Sequence, residues 1–244
     1  MHCDDCIIWS ADVPDEDALR SYLKEMPLLR VIKIDRAFVE NNGLQVVDWL
    51  SHSGLRVFDD AKIVEIPSKV VEIARAHLAH KPWMLNCMAG VESSGVMTHK
   101  DPMKIDALKR FADLCLEAGT KPCAVTVLTS KSDQTVSGEF NGRTSIEQVL
   151  YYVELLQAGF TDVVCSPLEL RAIRADSRFD QLGLNTPGIV MSGADAKDQA
   201  RTMTPGAAIQ AGATRVVIGR ALTSGDPGEN YRCISAEIEA VLSA

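Results

Sequence analysis

The chain has 244 residues, 46% of them hydrophobic, which is enough for one sizeable buried core. Its 33 acidic and 25 basic side chains leave a net charge of -8. That balance argues against a nucleic-acid partner, although a local basic cluster could still hold a small anion. No apolar stretch reaches membrane-spanning length, so no membrane partner is expected.

The opening stretch MHCDDCIIWS has no basic segment ahead of its apolar run, and no secretory signal is read there. The pair Cys3 and Cys6 has a metal-like or redox-like spacing, but a second pair is missing, so a structural or incidental role is expected. Apolar and β-branched runs then alternate with helical patterns along the chain. A strand over Cys6–Ala11 precedes a helix over Asp15–Glu25, and a strand over Arg30–Ile34 precedes a helix over Gly43–His52. The units Arg56–Ala61 with Ser68–His80, Trp83–Cys87 with Lys104–Glu117, and Pro122–Leu128 with Ile146–Ala158 follow. After them come Asp162–Cys165 with Pro167–Ala175, Leu182–Thr186 with Thr204–Ala211, and Arg215–Ile218 before a closing helix near Asn230–Leu242.

Eight strand–helix units in this length predict an α/β fold, a single-domain (β/α)8 TIM barrel over residues 1–244. No G-x-G-x-x-G follows the first strand, which counts against a dinucleotide-binding sheet. The longest irregular stretches are Met88–Pro102, Ser130–Arg143 and Pro187–Thr204. Each follows a strand, on the face where barrels build their sites. Cys87, Cys123 and Cys165 sit in strand-like runs and read as small core residues. His2, His52, His77, His80 and His99 show no metal-ligand spacing and read as surface or helix residues, so no metal is expected. The scattered thiols and missing signal suggest a reducing compartment and a cytoplasmic location.

Charges bunch where these strands end. Asp60 and Lys62 are two apart and share a face of the third strand. The same parity puts Asp12 with Ser10 and Ile8 on the first strand, and Lys33 with Val31 and Asp35 on the second. If these positions point inward, Asp12, Lys33, Asp60 and Lys62 meet at one mouth. A self-satisfied salt-bridge network is the alternative, but such networks stabilise weakly, so the cluster reads as a site. Asp59 has the opposite parity and is expected against the helix layer or solvent. At the end of the eighth strand, Gly219 lets a backbone approach a ligand, and Arg220 offers a planar donor fork for phosphate.

These stretches resemble the orotidine 5'-monophosphate decarboxylase family. The resemblance is carried by ADVPD (Ala11–Asp15), Lys33, DAKIVEIP (Asp60–Pro67) and AVTVLTS (Ala124–Ser130). It continues through VVCSP (Val163–Pro167), TPGI (Thr186–Ile189), GADAKDQARTMTP (Gly193–Pro205) and VVIGR (Val216–Arg220). It implies a cofactor-free decarboxylase of a pyrimidine ribonucleotide, working as a homodimer with sites at the subunit interface. By that resemblance Asp12 and Lys33 contact ribose hydroxyls, and Asp60 sits against the substrate carboxylate. Lys62 delivers the proton, and Glu65 enters the neighbouring subunit's site. Thr129 lies beside the pyrimidine, Pro187 belongs to the substrate-binding TPGI stretch, and Gln199, Gly219 and Arg220 hold phosphate.

Several positions depart from the family pattern. Val64 replaces a His, Glu65 an Asp, Lys69 a Thr, Asp35 a Gly and Cys87 a strand-four His, while Val190 stands where a phosphate-binding Arg is usual. The extra methylene of Glu65 displaces its carboxylate by on the order of 1 Å, enough to cost about 100-fold in rate. Asp35 is expected to add an inward negative charge. Lys69 could supply a missing phosphate contact or serve a different substrate. Three readings therefore stand: a divergent orotidylate decarboxylase, a relative retuned for another phosphorylated or nucleotide-like compound, and a catalytically silent binding barrel. The two lysines and two aspartates kept in register count against the last.

Overall fold

The described residues of the computed structural model are 2–90, 102–191 and 202–244, with side chains for all of these except 102–105. Eight parallel strands close into a barrel in sequence order. They are β1 (Ile7–Ser10), β2 (Val31–Asp35), β3 (Arg56–Ile63), β4 (Met84–Met88), β5 (Lys121–Val125), β6 (Asp162–Val164), β7 (Gly183–Thr186) and β8 (Arg215–Ile218). Strands covered on both faces need apolar residues at nearly every position, which is why they read as continuous runs.

Alternation divides those residues between two layers. Ile8, Val31, Phe58, Met84, Cys123 and Val217 fill the barrel interior. Trp9, Ile32, Leu85, Ala124 and Val216 face outward into the larger core beneath the helices. At the N-terminal end the interior is plugged by charge: Asp162 accepts from Arg215 Nη1 at 2.8 Å and Lys121 Nζ at 3.2 Å. Cys87 and Cys165 lie in the outer core and Cys123 in the inner one, all free thiols.

All eight expected strands are present, most with shifted ends, and β8 spans Arg215–Ile218 as expected. β3 runs two residues further than expected, to Ile63, and β5 stops at Val125 instead of Leu128. Three helices among the described residues were not expected, one of them the single turn Arg220–Thr223 directly after β8. Arg36–Asn42 is a separate helix, capped at its start by Asp35 and ended by Gly43 at φ +82°, so the following helix starts at Gln45 and not at Gly43. Asp133–Glu139 is helical inside a stretch expected to be irregular, started by the Ser132 side chain accepting from Thr135 N–H. Such helices of two turns are too short to show a clear period in sequence.

Candidate active site

β3 does not run straight at its end. Its register with β4 shifts between Asp59 and Ile63, and Lys62 takes a left-handed backbone at φ +45°. A lysine in that region is uncommon and must be held there by its surroundings. Asn86 on β4 does so from both sides. Its Oδ1 accepts from the Lys62 N–H at 2.7 Å, and its Nδ2 donates to Asp60 Oδ1 at 2.6 Å. The irregularity re-aims Lys62 into the mouth of the barrel.

Asp60 is the centre of the charge cluster. Its Oδ2 lies 2.5 Å from Lys33 Nζ and 2.6 Å from Lys62 Nζ. The Asp60 and Lys33 side chains are 7% and 12% exposed, whereas that of Lys62 is 41% exposed. Burial alone would raise the Asp60 carboxyl, but the ammoniums of Lys33 and Lys62 outweigh it and hold the group below its ordinary value. Asp60 therefore stays ionised between two lysines, and Asp12 supplies a second carboxylate on the same cavity wall. Lys62, the more exposed of the two lysines, is the one an anion entering from solvent meets first.

Above the cluster opens a cavity of about 660 Å³, within the range of small-molecule sites. Asp12, Lys33, Asp60, Lys62, Thr129, Pro187, Gly219 and Arg220 all line it. The strand-parity argument thus brings the four charged residues to one mouth, with the β8 end beside them. Ser10 Oγ donates to Asp12 Oδ1 at 3.3 Å. A Cβ placed on Gly219 would stand 3.1 Å from Asp12 Oδ2, so glycine keeps the backbone open beside that carboxylate. Arg220 is exposed at the cavity edge. Apolar walls come from Val127, Leu128, Ile189, Val190 and Met191, so Val190 faces the ligand space directly.

Other expected residues lie elsewhere. Gln199 falls outside the described residues, as does His99. Glu65 and Lys69 are exposed, do not line this cavity, and make local contacts. Glu65 Oε2 accepts from Ile66 N–H at 3.0 Å, and Lys69 Nζ pairs with Glu72 at 2.5 Å. Asp35 adds no charge to the cavity. Its carboxylate accepts from Phe38 N–H at 2.8 Å because the helix beginning at Arg36 needs a cap. Asp59 is wholly buried on the helix side, 2.6 Å from His77 Nδ1. Asn86 was missed. An asparagine inside an apolar strand was the available signal, since a buried amide needs partners.

A sequence profile of the Orotidine 5'-phosphate decarboxylase / HUMPS family matches residues 5–234. A protein of Moorella thermoacetica named orotidine 5'-phosphate decarboxylase is 34% identical over 99% of this chain and 95% of its own length. A namesake from Haemophilus influenzae is 35% identical over 87% of this chain and 89% of its own. The crystal structure of orotidine 5'-phosphate decarboxylase from Lactobacillus acidophilus superposes with a TM-score of 0.76 at 28% identity. That match covers 95% of this chain and 98% of the other.

Proposed function

The chain belongs to the Orotidine 5'-phosphate decarboxylase / HUMPS family, an enzyme of carboxy-lyase kinship, and on that premise we propose that it converts orotidine 5'-phosphate to uridine 5'-phosphate without metal or organic cofactor. The observation that carries this reading is the Lys33–Asp60–Lys62 chain at the cavity floor.

The chemistry needs what that chain offers. The bond from the pyrimidine ring to its carboxylate breaks, carbon dioxide leaves, and the electron pair stays on a ring carbon with little resonance relief. An ammonium fixed beside that carbon stabilises the growing charge and then donates its proton, which water restores afterwards. Lys62 fits this role as the more exposed of the two ammoniums on Asp60. Asp60 orients both lysines and opposes the substrate carboxylate. Relief of that repulsion as carbon dioxide departs favours the transition state. Asp12 and Lys33 suit ribose hydroxyls. Thr129 and Pro187 flank the space for the base, and Gly219 with Arg220 suits phosphate, with Gln199 assigned there by resemblance. By the family resemblance Glu65, and with it Lys69, serves a partner's cavity within a homodimer; neither lines its own.

Val190 supports a second reading. An apolar side chain faces the cavity where the family pattern has a phosphate-binding Arg, which fits a site retuned for another phosphorylated or nucleotide-like compound. Turnover of orotidine 5'-phosphate by the purified protein, followed by ultraviolet absorbance, tests the first reading. Under it, Glu65→Asp raises turnover and Val190→Arg tightens substrate binding. If wild type and both variants are inactive while folded, the second reading replaces it.

A further inference from the structure

We propose that His2, Cys3 and Asp4 form a binding site for a divalent transition-metal ion of the zinc class. It lies ahead of β1, whereas the cavity opens beyond the other ends of the strands. No sequence spacing signals this site, because the three donors are consecutive. They converge because the chain winds into a tight 3-10 turn over Cys3–Cys6. His2 Nδ1 lies 3.1 Å from Asp4 Oδ2 and 3.8 Å from Cys3 Sγ, and the three donor atoms are all within 4.8 Å of one another. Around a tetrahedral ion with bonds of about 2.0–2.3 Å, donors stand about 3.4–3.6 Å apart. The observed separations bracket that value, so small side-chain rotations complete the geometry.

The donor set is one imidazole nitrogen, one sulfur and one carboxylate oxygen. A thiolate and an imidazole select zinc-like ions over calcium or magnesium, and three protein donors leave a fourth position for water. The outer contacts are already in place. Asp4 is buried, and its Oδ1 accepts from the Tyr231 hydroxyl at 2.9 Å and the Ser235 hydroxyl at 3.4 Å. Ser235 Oγ also lies 3.2 Å from Cys3 Sγ. Both residues belong to the C-terminal helix Pro227–Leu242. That helix thus orients the carboxylate and the thiol and leaves Oδ2 turned towards His2, as outer partners do in metal sites.

The existing contacts leave room for an ion. Asp4 N–H meets His2 Nδ1 at a long 3.4 Å, so little is lost when the ring turns to a metal. Arg30 Nε is 3.9 Å from Asp4 Oδ2, and Asp5 offers that guanidinium a second partner at 3.6 Å. Cys6 takes no part: it is buried and donates to the His2 carbonyl at 3.7 Å. Binding releases the Cys3 proton to solvent and ties the first turn to the last helix.

The test is a titration of the whole protein with Co²⁺, read by absorbance. The expected result is a thiolate-to-cobalt charge-transfer band that saturates at one ion per chain and is displaced by Zn²⁺. The band disappears in Cys3→Ser and persists in Cys233→Ser, with circular dichroism confirming the fold of each. Ser235→Ala weakens cobalt binding about 10-fold. No saturable band, or a band that survives Cys3→Ser, overturns the proposal.

Discussion

At Asp60 a single carboxylate satisfies three donors, two ammoniums through one oxygen and the Asn86 amide through the other. Removing it leaves Lys33 buried without its counter-charge, so Asp60→Ala should cost about 3 kcal/mol of stability, measured by chemical denaturation. Its depressed pKa also fixes the sign of a pH effect. The folded form binds its proton less readily than the unfolded one, so its stabilisation is complete above the unfolded value of about 3.9. It is lost as pH falls through the lower folded value. Asp60→Asn should flatten the acid limb of the stability profile, and an unchanged limb would show that another carboxylate controls it. These charges were legible in the sequence because strand parity alone aligns Asp12, Lys33, Asp60 and Lys62. Asn86 was legible only as a buried amide in need of partners; which partners it takes depends on a register shift that no residue pattern announces.

At the scale of elements, the end of β2 shows how one side chain serves a helix and not a cavity. Asp35 follows the inward parity of Lys33 but caps the Arg36–Asn42 helix. Asp35→Ala should cost about 1 kcal/mol, and Asp35→Gly a few tenths. Neither should change turnover per folded molecule; a large activity change in Asp35→Gly would restore the inward-charge reading. On the outer side of β3, the buried carboxylate of Asp59 has one oxygen on His77 of the Pro67–Leu78 helix and the other without a partner among the described residues. His77→Ala removes that one partner and should cost about 3 kcal/mol in the same denaturation measurement. The sequence placed Asp59 on the correct side of the strand but could not pair it. His77 is 18 residues away, and only the packing of the helix on the barrel joins them.

Across the whole molecule, eight units alternating at regular spacing were enough to read a closed barrel, because each strand is buried on both faces and each helix on one. The assembly was less legible. Glu65 and Lys69 lie outside their own cavity, and the proposed homodimer would bring them to a neighbour's. Mixing inactive Lys62→Ala with Glu65→Ala protein should then restore turnover through sites built from two subunits. No recovery after confirmed subunit exchange would make each cavity self-contained.

The central claim is that Lys62 gives the proton as carbon dioxide leaves. Turnover of orotidine 5'-phosphate by wild type and Lys62→Ala, followed by ultraviolet absorbance on folded proteins, tests it most directly. The account predicts turnover by wild type and a loss of about 10²–10⁴-fold or more in Lys62→Ala. Equal rates in the two proteins, or none in either, would contradict it.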